Sequence, residues 1–208
     1  MRGRHVRGAD GLRKSRNSRA AGRKILIVTE GVRTEPQYFE GLAKNLNARA
    51  VYVTSVKSVG LGKDPLSVVK EAISRRSNDK RIGDPFDEVW CVVDVDQHAS
   101  LEDACSLARR EGISLAVSSP CFEIWLIWHY SDHFAWISTA GALEKLKSKH
   151  GFTGKILPDN FPFGAHEDAI RRADGCAPVS VPHKPPNPHS SVARLVESMI
   201  NSITRRGK

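Results

Sequence analysis

The chain has 208 residues, 40% of them hydrophobic, with 32 Lys or Arg against 23 Asp or Glu and a formal net charge of +9. That length suffices for one domain with a sizeable core, and no apolar run approaches a membrane span. Four scattered cysteines with no CxxC pair exclude a disulfide framework and a structural zinc site, and agree with a cytoplasmic home.

The charge is concentrated at the start. Residues 1–24 hold nine basic side chains, among them Arg13, Lys14, Arg16, Arg19, Arg23 and Lys24, against the single acid Asp10. With almost nothing to bury, this segment is expected to be a disordered basic tail. A polybasic arm neutralises phosphates with little sequence preference, so RNA or DNA is the expected partner; a merely solubilising terminus is the plainer reading. No apolar stretch follows the early charges as a secretory signal would require.

The first predicted strand, residues 25–29, is a β-branched apolar run ending at Glu30-Gly31. Such a run fits a strand covered on both faces in a parallel sheet. Thr34 is then placed to cap a helix running to about residue 45, with Glu35 and Pro36 in its first turn and Gln37 as capping-box partner. Its amino end would direct free amides toward the crevice holding Glu30, and Arg33 in the connecting loop could reach the same anion. Residues 50–57 alternate as a second strand. Gly60-Leu61-Gly62-Lys63 lacks the spacing of a nucleotide phosphate loop and reads as a flexible loop with Lys63 as a phosphate contact, before a helix over 65–76.

The third strand, 88–94, also ends on acid, at Asp94-Val95-Asp96. Residues two apart on an extended chain point the same way, so both carboxylates can address one ion. Glu30, Asp94 and Asp96 brought together would repel unless a cation stood among them, and an all-oxygen donor set suits Mg²⁺ or Mn²⁺. The plainer alternatives are a helix-initiating acid for Glu30 and solvent-facing loop acids for the pair. His98 reads as a loop residue, with water or phosphate orientation as its other use.

A helix over 98–112 ended by Gly112 and a fourth strand over 113–117 complete an alternating β-α rhythm. From Ser118 to Tyr130 the sequence predicts an apolar helix, buried all round. Glu123 in its first turn reads as capping or as a fourth acid of the metal site; His129 reads as a packed, hydrogen-bonded histidine. Helices over 141–150 and 166–174 carry Lys149, Arg171 and Arg172, which are further phosphate candidates. A Pro-rich extended stretch over 175–188 and a terminal helix from Val192 to about Ser202 follow. The expected organisation is therefore a tail (1–24), one α/β domain (25–202) with a C-terminal helical extension from about 118, and a basic end (203–208).

The ordered motifs ILIVTEGVRTEPQYF, WCVVDVDQH, SSPCFEIWLIWHY and NPHSSVARLVESMI resemble the RloB family of small bacterial proteins encoded near restriction and anti-phage loci. The first two in turn resemble the Toprim fold of topoisomerases, primases and OLD-type nucleases. The resemblance implies a Toprim-like (Rossmann-like) mostly parallel sheet flanked by helices, with Glu30, Asp94 and Asp96 around Mg²⁺ or Mn²⁺. It also implies nuclease action on RNA, possible tRNA included, or on DNA, as the effector of an ATPase partner subunit. A non-catalytic nucleic-acid-binding or regulatory subunit is the rival reading. The aromatic run from Phe122 to Trp136 exceeds what one short helix buries, so a homodimer or an ATPase is expected to cover any part left free.

Overall fold

The computed structural model describes residues 23–56, 64–95, 100–176 and 185–204. Asp96, His98, Lys63 and the tail up to residue 22 lie outside them.

In chain order the elements are β1 (Ile25–Thr29), α1 (Thr34–Asn45), β2 (Val51–Ser55), α2 (Pro65–Arg81), β3 (Glu88–Asp94), α3 (Leu101–Glu111), β4 (Ser114–Ser119), α4 (Glu123–Ile127) and α5 (Thr139–His150). A 3-10 turn (Phe163–Ala165), α6 (His166–Asp174), β5 (His189–Ser190) and α7 (Val192–Thr204) follow. The five strands form one sheet in the order β2-β1-β3-β4-β5. The first four are parallel, and the short β5 pairs antiparallel with β4. This is an α/β, Rossmann-like architecture.

Alternation along the strands explains the two layers. Ile25, Ile27, Val92 and Ala116 face α1 and the C-terminal helices, where Tyr38, Phe39, Trp125, Trp128, Leu195 and Val196 are fully buried. Leu26, Val28, Cys91 and Val93 face the opposite way, onto Val68, Val69 and Ala72 of α2 and Ala104 and Ala108 of α3. Helix α1 therefore leaves β1 toward one face while α3 leaves β3 toward the other. Strand order reverses between these two neighbours, and a crevice opens at their carboxyl ends, where doubly wound sheets bind ligands.

Several local expectations are corrected. Thr34 does not cap α1: it is the first helical residue, and its Oγ1 donates to the Lys155 carbonyl at 3.1 Å. Gln37 is likewise diverted, its Oε1 accepting from Leu157 N at 3.1 Å, so a distant loop takes both members of the expected capping box. Helix α2 runs five residues further than predicted, to Arg81, and starts on Asp64, whose side chain accepts from Leu66 N and Ser67 N. The long apolar helix over 118–130 is instead an extension of β4 through Ser119, a cis Ser119–Pro120 bond and the five-residue α4. Ser118 is a buried strand residue whose hydroxyl pairs with that of Ser190 on β5, a strand the sequence did not signal. The burial expected of this segment holds, with Phe122 and Ile124 to Trp128 at most 1% exposed.

Candidate functional site

Glu30 follows β1 and Asp94 ends β3, and the register between these strands sets them side by side. Glu30 N donates to the Val92 carbonyl at 3.1 Å, prolonging the ladder by one residue. Its Oε2 accepts from the Asp94 backbone N at 3.4 Å. Both side chains line a cleft of about 520 Å³ with Gly31, Arg33, Thr34, Glu35, Cys121, Glu123, Thr139 and Lys155.

The cleft collects four carboxylates, of which Glu35 and Glu123 are each 9% exposed. Glu35 reaches back from the first turn of α1 to accept from Gly31 N at 3.0 Å. A Cβ on Gly31 would overlap that carboxylate, so glycine is what lets the acid fold onto the backbone. Burial is the main cause that raises the Glu35 pKa above its ordinary value, and the Glu123 charge pushes the same way against the Gly31 hydrogen bond. Cys121 sits at the cleft wall with its thiol pushed far up, first by burial and then by the Glu123 and Asp94 charges. It is therefore an uncharged neighbour and not a thiolate ligand.

The opposing charges come from Arg33, at the helix start, and Lys155, on the turn closed by the Thr153–Ile156 bridge. The Thr34 and Gln37 bonds tie that turn to α1, so the same contacts that displace the capping box hold Lys155 over the acids.

Of the residues predicted from sequence, Glu30, Asp94, Glu123 and Arg33 come together. Lys149 and Arg171 do not line this cleft: Lys149 is exposed on α5, and Arg171 pairs with Asp168 on α6. Arg172 is engaged by Asp132 at 2.6 Å and by the Trp128 carbonyl. Lys24, counted with the basic tail, is an anchor: its Nζ meets Asp84 at 2.6 Å and Asp79 at 3.5 Å and lies 4.3 Å from the Phe86 ring centroid. Arg23 pairs with Glu88 at 2.8 Å. His129 is the packed histidine expected, with Nδ1 at 3.0 Å from the Trp125 carbonyl and Nε2 at 3.2 Å from the Tyr38 hydroxyl.

Sequence reasoning missed Glu35 and Lys155. Glu35 carried one signal, a glycine two residues past the strand and four residues before a helix-start acid; Lys155, in a turn far along the chain, carried none.

Among the described residues no three His, Cys, Asp or Glu side chains form a group able to hold a metal ion by themselves. The donor chemistry nonetheless fits a hard cation. Glu30 and Asp94 offer only carboxylate oxygens, the neighbouring thiol is protonated, and Asp96 follows two residues on. Among the described residues no helix is long and apolar enough to cross a membrane.

The family model of RloB-like proteins matches residues 25–199, the whole α/β unit from β1 into α7. A search of curated proteins found no match.

Proposed function

The chain belongs to the RloB-like family, and from that premise we propose that it is a Mg²⁺- or Mn²⁺-dependent nuclease with a Toprim-like core, cutting phosphodiester bonds in RNA or DNA as an effector of anti-phage defence. The observation that carries the reading is the meeting of Glu30 and Asp94 at the sheet's switch point, with Glu30 Oε2 at 3.4 Å from Asp94 N.

Glu30, Asp94 and Asp96 would hold the ion. When bound, it supplies polarisation of a phosphate oxygen and a more acidic water. Arg33 and Lys155 flank the acids and offer charge-assisted hydrogen bonds to the scissile and neighbouring phosphates, which would otherwise be repelled. Glu30 has a second use, since its carboxylate can take a proton from the attacking water. Burial raises the Glu35 pKa and so favours its uncharged form beside the other acids of the cleft.

A cleavage assay on total RNA and plasmid DNA tests the proposal. Wild type should give Mg²⁺- or Mn²⁺-dependent products and Asp94→Asn/Asp96→Asn none; equal cleavage by both, or no metal dependence, would sink it. The concentration of charge in residues 1–24 favours a second reading, a non-catalytic nucleic-acid-binding or regulatory subunit. It predicts that loss of the tail abolishes function while the double Asp change leaves it intact.

A further inference from the structure

Trp125 and Trp128 are fully buried, but Trp136 is 73% exposed and Phe134 53% exposed. Their segment is not loose. Trp128 Nε1 donates to the His133 carbonyl at 3.0 Å, and Lys145 Nζ lies 3.1 Å from His133 Nδ1. On the other side Ile137 is 8% exposed and its backbone makes two hydrogen bonds with the Asn187 side-chain amide, its N donating to Oδ1 at 3.2 Å and its carbonyl accepting from Nδ2 at 2.8 Å. Ser138 then caps α5, donating no freedom to the join, and Thr139 lines the carboxylate cleft. An indole is thus held in water by anchored neighbours, three residues from the cleft, which places its Cα within about 11 Å of that of Thr139.

We propose that Trp136, with the likewise exposed Phe134 two residues before it, is a stacking platform for an unpaired base of single-stranded nucleic acid whose phosphate enters the adjacent cleft. The proposal rests on the nucleic-acid reading of that cleft and narrows its substrate class to strands with unpaired bases. Size favours this occupant over a protein. Two aromatic side chains cover about 150–250 Å² each, well short of the roughly 800 Å² per partner of a stable protein interface, whereas one or two bases need no more. Charge agrees: Arg33 and Lys155 line the cleft and Lys145 lies beside His133 near the start of the same segment, so cations are available to a phosphate backbone.

The test is fluorescence anisotropy of fluorescein-labelled oligo(U) and oligo(dT) with the full chain in EDTA, at salt high enough to weaken the polybasic arm. Trp136→Ala should lose about tenfold or more in affinity, the range of one stacked base, while Trp136→Phe stays close to wild type and a blunt duplex binds all three alike. Oligonucleotide should also quench the tryptophan emission of wild type, because Trp136 is the most exposed of the four indoles. Unchanged affinity in Trp136→Ala overturns the platform, as does a variant that binds normally but has lost self-association. Binding in EDTA is read without cleavage, so absence of nuclease activity with intact stacking would fail the nuclease reading alone.

Discussion

Glu35 joins local sequence to site electrostatics. Its carboxyl is neutral in both folded and unfolded chains well below pH 4.5, so its contribution to stability is then fully present. As pH rises past 4.5 the unfolded chain ionises first, and stability is lost until the buried group ionises too, because the folded pKa is raised. Glu35→Gln keeps the neutral shape. In EDTA its urea midpoint should therefore gain on wild type as pH climbs above 4.5; a constant difference would mean the group is not desolvated as the fold implies. His129 has the opposite sign. Burial lowers its pKa to about 4, and both ring nitrogens already have partners, so it belongs to the packing between α1 and α4 and not to the chemistry.

At the scale of elements, the starts of the helices are fixed by a few side chains. Asp64 caps α2 through Leu66 N at 3.0 Å and Ser67 N at 3.2 Å, and its Oδ1 also accepts from Ser100 Oγ at 3.1 Å, next to the start of α3. One side chain thus ties together the starts of both helices on the second face. Asp64→Ala should cost about 1–2 kcal/mol in unfolding free energy, measured by urea denaturation. Asp64→Asn, which still accepts, should recover most of it. On the first face the close approach is at Gly41, where a Cβ would overlap the Phe163 ring. That contact brings the 3-10 turn against α1 and so helps seat the loop that carries Lys155.

For the whole molecule, the Arg23–Lys24 anchor and the candidate site lie at opposite ends of β1. Arg23 and Lys24 fasten the chain to Glu88, Asp79 and Asp84 before β1 begins, whereas Glu30 directly follows β1 and Asp94 ends β3, both at the carboxyl ends of the strands. Residues 1–22, outside the described residues, contain seven Arg or Lys. Deleting them, with the anchor kept, should flatten the dependence of log affinity on log salt for any long polynucleotide and leave thermal unfolding unchanged. An unaltered salt slope would assign the phosphate contacts to the folded body instead.

The α/β rhythm, the bounds of β1, β3 and α6, and the pairing of Glu30 with Asp94 were legible because each depends on local pattern: apolar runs with period two, glycine stops, and acids where a parallel strand ends. The fates of Thr34 and Gln37 were not, since their hydrogen bonds go to residues 155 and 157, more than a hundred positions away. Nor could periodicity separate a long buried helix from a strand, a turn and a short helix, because burial on all sides removes the polar face that would mark the difference. Composition alone determined the basic excess, and the order of residues the aromatic run from Phe122 to Trp136. Tertiary structure decided that Glu35 and Lys155 enter the cleft, that Lys24 is an anchor, and that of the aromatic run only Phe134 and Trp136 remain exposed among the residues described, because each outcome depends on which distant element fills the neighbouring space.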